Sequence, residues 1–465
     1  MKIKWSTFFK MMVTIALPIA LQNLLAQTAS MVDTIMIGSL GELAVASVGI
    51  CSQIASLFFS TYYGFANGAI IFFSQYWGSQ DEENDNLTFG TAFLSILVVS
   101  VLFGLVCVID PRFLLGIYTD KANIIELAAP YIRIVGFAFP LQAMACVFSF
   151  FLRSSDRVNQ PLYCSLVGLV VNFVINFTLI YGRFGFPKLG IPGAAIGTLA
   201  SAIVNFILLF IILIKSECSI RLHITKIFHL SIDFMKMYYL KCAPIVCNEI
   251  LYGVGQMIIN IVMGHQNESA IAAMAAFRVC EGFVFSFFGG LTNATAVVVG
   301  NDVGSGRLED AYGFVKKARL FTPIVTFCIV GTCLILNHPL FTLFGLGEQA
   351  LSYGKYMLMV YLIFGSIRTC NYTMGDSFRA GGEPLYGTIM EIGSLFLISV
   401  PITWTTGMIL HLPFLLVFMF VYSDEVFKFF ADSYYLKTGK WVKPVTKLGK
   451  EALPGFMTKL QTKKA

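Results

Sequence analysis

About twelve apolar stretches of 20 or more residues follow one another along this chain of 465 residues. A helix of that length crosses roughly 30 Å of hydrocarbon, which is the thickness of a bilayer core. Only 12% of the residues are charged, whereas a soluble domain carries about 25%. The sequence therefore predicts an all-α polytopic membrane protein. The predicted spans, numbered one to twelve, are 12–37, 44–76, 89–110, 125–151, 162–182, 193–214, 240–264, 270–300, 318–337, 350–376, 385–409 and 411–435.

The sequence lacks the patterns that are typical of secreted proteins, membrane β-barrels and metal- or nucleotide-dependent enzymes. The first span is long, has no A-x-A site and is followed by further spans, so we do not expect a cleavable signal peptide. The alternation with period two that membrane barrels require is not seen. The 11 Cys occur singly and the 5 His lie far apart, with no HExxH motif and no GxxxxGK[ST] loop. We therefore expect neither an enzyme nor a cofactor.

Positive charge is concentrated in alternate loops. If the N-terminus lies inside, the inner segments hold 24 of the 32 Lys and Arg residues and the outer loops hold six. The positive-inside rule then predicts a multi-pass protein of the inner (plasma) membrane with both termini in the cytoplasm.

The chain contains an internal repeat with an offset of 226 residues. Residues 18–79 align with residues 244–305 without a gap, and fifteen of the sixty-two pairs are identical. Pro18 meets Pro244, and Gly38 meets Gly264. Because a proline removes a backbone hydrogen bond within a helix, we predict hinges at Pro18 and Pro244.

The repeat predicts two six-helix bundles. Six is an even number, so both bundles enter the membrane from the same side and are related by an axis along the membrane normal. We assign residues 1–214 and 240–435 to the bundles and residues 215–239 to a cytoplasmic linker. Residues 436–465 hold eight Lys and one Glu, which predicts a solvated basic cytoplasmic tail near anionic lipid. We expect a monomer that binds no nucleic acid.

Several motifs resemble those of the multidrug and toxic compound extrusion (MATE) family. They are VDTIMIGSLGELAVASVGI after span one begins, G-x-x-N and G-S near the end of span two, P-x-x-x-x-E in span seven and FRAGGEP after span ten. The resemblance covers nearly the whole chain. It implies antiport by alternating access, in which an organic and often cationic drug or toxin leaves the cell as Na⁺ or H⁺ enters.

Asp33 is a carboxylate inside the first apolar span. It precedes Gly38 by five residues, so it lies about 7–8 Å from the end of the helix. That depth is too great for a short side chain to reach water, and Asp33 must face a polar cavity or a partner. Its counterpart in the second repeat is Ile259, which indicates that the carboxylate is not part of a shared scaffold. It is either an ion or proton site or a polar residue in helix packing.

Spans five and six supply polar residues for such a site. Asn172 and Asn176 are four residues apart, hence on one helical face, and Thr198 lies in span six. In the family, the cation site of the first half uses an Asp, two positions of this spacing and a Thr, and the Asn pair resembles the NorM-like branch. One carboxylate, two amides and a hydroxyl suit Na⁺, whereas a proton needs only Asp33. Ordinary hydrogen bonds between helices are the alternative for the two Asn.

The second half contains further charges within its spans. Glu249 follows Pro244 in span seven, where the family often has an acid that meets substrate or coupling ion. Arg278 and Glu281 have the spacing of an ion pair. Arg368 is expected to neutralise Glu249 or to contact an anionic part of the substrate. We treat these four residues as candidates for substrate binding or coupling, and Glu391 as structural.

Two other functions compete with export. A lipid-linked saccharide flippase of the same superfamily would need several cations inside the spans to hold a pyrophosphate. We place only Arg278 and Arg368 there and assign the other Lys and Arg residues to the loops and the termini. An intramembrane enzyme would need paired acids or His near one surface and a larger loop. The sequence favours a cation-coupled antiporter of small organic molecules.

Overall fold

The computed structural model describes residues 4–215, 231–342 and 347–462, and within these ranges the chain is helical with no β-strand. Most of the predicted linker, residues 216–230, lies outside the described residues. The helices are α1 (Trp5–Gly38), α2 (Glu42–Ser79), α3 (Glu82–Ile109), α4 (Pro111–Gly116), α5 (Ala122–Ser154), α6 (Asn159–Tyr181), α7 (Ile191–Lys215), α8 (Ile232–Gly264), α9 (Glu268–Gly304), α10 (Leu308–Ile335), α11 (Asn337–Thr342), α12 (Glu348–Ala380), α13 (Pro384–Ile409), α14 (Phe414–Phe420), α15 (Ser423–Thr438) and α16 (Lys447–Thr462).

Eleven of the described helices are long and apolar enough to cross a membrane, and they correspond to predicted spans one to eleven. The predicted all-α polytopic fold is therefore confirmed. Helix α8 begins at Ile232, inside the segment predicted as linker. The twelfth predicted span is divided into α14 and α15. Four charged residues on α15 are buried, which explains why it differs from the other spans: Asp424, Glu425, Lys428 and Asp432.

The chain folds into two compact units that are built from non-contiguous segments. One unit, called here the N unit, contains residues 21–73 and 80–242; the other, the C unit, contains residues 1–20, 74–79 and 243–465. The division therefore falls within three helices: within α1, two residues after Pro18; within α2, after residue 73; and within α8, one residue before Pro244. The repeat predicts bundles that are each contiguous in sequence, residues 1–214 and 240–435. These boundaries stay a prediction.

In the N unit, α5 packs against α3 and α7, and α7 packs against α6. Aromatic rings fill the space between these helices: the ring of Phe148 stacks on Phe89 and Phe93. The first turns of α8 join this unit through Tyr238, which is fully buried and donates a hydrogen bond to the backbone oxygen of Phe65.

In the C unit, α12 packs against α9, α10 and α15. The first half of α1 joins this unit through Phe8, which is fully buried and contacts the rings of Phe314 and Phe321 on α10. Helices α1 and α8 thus each contribute one part to each unit.

The expectation of a solvated basic tail is wrong for the segment that follows α15. Trp441 is 0% exposed, and Val442 and Thr446 are also buried in the C unit. The ring of Trp441 packs against Gly381 and lies near Tyr312 and Phe378. Apolar side chains alternate with the lysines here, and burying them stabilises the docked segment.

We expect Trp441→Ala to lower the free energy of unfolding by about 3–5 kcal/mol, because it removes a large buried ring and leaves a cavity. Thermal unfolding of the purified protein in detergent measures this. Trp404→Ala is the matched control, since Trp404 is 39% exposed and should lose far less. Equal losses in the two variants would show that Trp441 does not anchor the segment.

Candidate ion site and buried charge network

Asp33 lies in the last third of α1 and meets α6 within the N unit. The side-chain amide of Asn176 donates a hydrogen bond of 2.6 Å to Asp33 Oδ1. The same amide donates to Asn172 Oδ1 at 3.2 Å. Because the two Asn are four residues apart on a helix, both side chains point the same way. The structure therefore brings together three of the four residues that the sequence predicts for this site.

The two Asn side chains are almost completely shielded from solvent. Asn172 is 6% exposed and Asn176 is 0% exposed. The Asn176 side-chain oxygen has no hydrogen-bond partner although it is buried. An unpaired buried amide oxygen costs about 1–3 kcal/mol, so such a position suits an ion or a water molecule that supplies the missing partner. Beside the Asp33 carboxylate, this oxygen is a suitable ligand for a hard cation such as Na⁺.

A glycine on α7 makes room for Asn176. A Cβ atom built on Gly197 would overlap Asn176 Oδ1 and lie 3.3 Å from the backbone oxygen of Asn172. A residue with a side chain at this position would therefore push Asn176 away from Asp33. The sequence contains no signal for this role, because it arises only from the close approach of α6 and α7.

Thr198 is next to Gly197, and its hydroxyl donates to the backbone oxygen of Ala194 at 3.1 Å. The phenol of Tyr131 on α5 forms a side-chain hydrogen bond with Thr198 and lies close enough to Asp33 to interact electrostatically. Tyr131 was not predicted from the sequence. It lies near both Thr198 and the carboxylate.

The C unit contains a larger group of buried charges around Arg368. Its guanidinium contacts Glu281 at 3.0 Å and Glu425 at 3.8 Å, and it donates to the Tyr252 hydroxyl at 2.5 Å. Glu281 also pairs with Arg278 at 3.5 Å. The expectation that Arg368 neutralises Glu249 is wrong, because Arg368 is directed towards the acids of α9 and α15.

A second guanidinium, that of Arg379, lies at the end of α12. It contacts Asp376 at 3.3 Å and Glu391 at 2.9 Å, and Asn248 donates to Glu391 at 2.8 Å. These contacts agree with a structural role for Glu391. Glu249 lies near the same group and interacts electrostatically with Arg379, Glu391 and Asp376.

Lys428 on α15 completes the network, and sequence reasoning missed it. Its ammonium group contacts Asp424 and Glu425, each at 3.0 Å. The charges of SDEVFKFFAD within predicted span twelve are the signal that could have found it, since charges within a span face the protein interior.

A family model described as MatE matches residues 18–178 and 244–405, one match in each repeat. The chain belongs to the MATE family. Members of this family are membrane transporters, so the expectation that this chain is not an enzyme is confirmed. The two matches agree with the two halves that the internal repeat predicts.

Similar proteins cover most of the chain. The probable multidrug resistance protein YoeA of Bacillus subtilis is 25% identical over 83% of this chain and 84% of the relative. The probable multidrug resistance protein NorM of Thermotoga maritima is 21% identical over 93% of each. A solved structure of the Vibrio cholerae MATE transporter VcmN has a TM-score of 0.83 and 17% identity, covering 96% of this chain and 99% of that one. This chain and the VcmN structure have the same fold of two six-helix halves.

We expect Gly197→Ala to separate Asn176 from Asp33, because the added methyl group overlaps the amide oxygen. Transport of a fluorescent dye by cells that express the variant should fall strongly while the amount of folded protein stays close to normal. Gly49→Ala on α2 is the control, since no atom lies within 4 Å of its added Cβ. Normal transport by Gly197→Ala would show that the contact between Asn176 and Asp33 is dispensable.

Proposed function

We propose that this MATE protein is a cation-coupled antiporter that exports organic, often cationic, drugs or toxins by alternating access. Its coupling ion is Na⁺ or H⁺, and its binding site is formed by Asp33, Asn172, Asn176 and Thr198. The protein acts in the inner (plasma) membrane with both termini in the cytoplasm, and it functions as a monomer in contact with lipid.

The observation that carries this proposal is the contact between Asp33 and the Asn pair within the membrane. Only one carboxylate is present among these four residues, which suits a monovalent ion better than a divalent ion. Na⁺ would be held by Asp33 together with the Asn176 oxygen and other nearby oxygens. A proton would bind to Asp33 alone and would need no ligand from the Asn176 oxygen, while Asp33 Oδ1 could still accept from the Asn176 amide. The two ions therefore make different demands on Asn176.

The division of α1 supports a hinge near Pro18. Residues up to Ala20 belong to the C unit and residues from Leu21 to the N unit. Since the proline leaves a backbone oxygen without its helical partner, bending costs least there. Ion binding at Asp33, on the N-unit part of α1, then changes the angle of this helix at Pro18 and releases the substrate outward.

The charges of the C unit favour export of cationic compounds over a lipid-linked saccharide flippase. The two arginines that we predict to lie inside the spans, Arg278 and Arg368, both pair with Glu281, so they are not available to hold a pyrophosphate. A cavity in this unit is lined by Tyr252, Met274, Phe277, Arg278, Glu281 and Tyr422. Its aromatic and flexible side chains suit varied organic compounds, including cations that lie against aromatic rings.

We expect Asp33→Asn to abolish ion-driven efflux, because the variant can neither bind a proton nor place a negative charge beside Na⁺. It should fold normally, since it removes a buried charge and keeps the shape of the side chain. Purified protein in liposomes, tested with imposed Na⁺ and H⁺ gradients separately, measures both the loss and the identity of the ion.

Glu42→Gln serves as the control, because Glu42 is an exposed acid at the start of α2. It should leave efflux and its ion dependence unchanged. If Asp33→Asn transported normally under both gradients, the coupling site would lie elsewhere, and Glu249 would be the first residue to test.

We expect chemically different cationic dyes and drugs to compete with one another for efflux, because a wall of aromatic and aliphatic groups selects by hydrophobicity and charge. Competition assays with two fluorescent dyes in whole cells measure this. Strict dependence on a single sugar-linked lipid would contradict export and favour the flippase.

A further inference from the structure

The last turns of α2 cross α9 at a point where three small residues remove all space between the helices. Cβ atoms built on Gly300, Gly304 and Gly78 would overlap atoms of Ser74, Gln75 and Asn301, respectively. In the repeat, Ser74 is equivalent to Gly300 and Gly78 to Gly304. The contact surface on α2 and the contact surface on α9 are therefore formed by equivalent positions of the two repeats. Small residues at these positions permit the close packing.

The segment after α15 covers this crossing. Residues 441–446, called here the strap, are fixed to the second repeat by three contacts. The Lys443 amide donates to the Gly381 oxygen at 2.7 Å, the Lys443 side chain pairs with Glu383, and the Thr446 hydroxyl donates to the Gly304 oxygen at 2.7 Å. Helix α16 holds the far end through an ion pair of 2.6 Å between Lys459 and Glu309.

A single side chain of the first repeat binds both the strap and the second repeat. Gln75 is 0% exposed. Its side-chain oxygen accepts from the Val445 amide at 2.8 Å, and its side-chain nitrogen donates to the Ala380 oxygen at 2.8 Å. Its counterpart in the second repeat is Asn301, whose side-chain oxygen is buried without a partner. The bridge is therefore a feature of the first repeat alone.

These contacts lie at one surface of the membrane. Helices α2, α9 and α12 are the second, eighth and tenth spans, so their last turns reach the surface from which α1 starts. Alternating access by this architecture requires one repeat to move against the other. Contacts that join the two repeats at one surface must separate when that surface opens.

We propose that the strap is a releasable latch, and that the bonds from Gln75 to Val445 and Ala380 break and re-form in each transport cycle. The strap stays on the second repeat, to which Lys443 and Thr446 fasten it, while α2 leaves. Directional hydrogen bonds suit this role, because each can be exchanged for a hydrogen bond to water when the surface opens, at little net cost. The latch does not depend on which ion drives transport.

Two pairs of cysteines test the latch. Gln75→Cys with Val445→Cys allows a short bis-methanethiosulfonate reagent to tie α2 to the strap through two disulfide bonds, which a reductant cleaves. Glu383→Cys with Lys443→Cys is the matched control, because it ties the strap to its own repeat. The unmodified chain, treated in the same way, accounts for the exposed native Cys247 and Cys328. Dye efflux is measured in liposomes before crosslinking, after crosslinking and after reduction.

We expect the link between positions 75 and 445 to stop efflux and reduction to restore it, while the link between positions 383 and 443 leaves efflux unchanged. Continued efflux by fully crosslinked 75–445 protein would overturn the proposal. Equal inhibition by both links would also overturn it, since the contact with α2 would then have no special role.

Hydrogen exchange of the unmodified protein gives an independent test if the cysteine variants fail to fold. During turnover with dye and an ion gradient, the Val445 amide should exchange faster than in the resting protein, because its acceptor on Gln75 leaves. The Lys443 amide, which donates to Gly381, should stay protected. Unchanged exchange of Val445 during turnover would contradict release of the latch.

Discussion

A polar group without a partner costs several kcal/mol in hydrocarbon, and the rest of this structure depends on that cost. It makes each span a helix, because a helix satisfies its own backbone. It also directs charged side chains away from lipid and towards one another. Asp33 meets Asn176 for this reason, and Arg368 lies between Glu281 and Glu425. The candidate sites for binding an ion or a substrate are therefore the clusters of buried polar and charged side chains.

The two repeats share a framework but differ in the polar groups placed on it. Arg153 and Arg379 are equivalent residues. Arg379 pairs with two acids, whereas Arg153 is bonded to the uncharged Gln22 at 2.6 Å. The only acid of the proposed ion site, Asp33, has Ile259 as its counterpart. The first repeat thus carries a simple site with a single carboxylate, and the second carries a network of paired charges.

A transporter needs contacts that are close enough to seal one surface and yet able to separate. Small residues allow α2 and α9 to approach without interlocking side chains, so their contact can open without repacking a core. The docked segment after α15 adds directional bonds on top of this crossing. Trp441, which is fully buried, fixes that segment to the C unit, so that its other contacts can be specific.

Much of this protein was determined by sequence patterns that act locally. The length of the apolar stretches predicted the spans, the duplicated motifs predicted the two halves, and the spacing of Asn172 and Asn176 predicted that both lie on one helical face. Tertiary structure alone decided what depends on the distance between helices. A side chain at position 197 would displace Asn176, because α6 and α7 approach closely there. Tyr131 on α5 lies beside Thr198 on α7. Arg368 forms its ion pair with Glu281 and not with Glu249. The charges of α15 and the buried segment at Trp441 were misjudged, because composition describes what a segment contains and not which surface it covers.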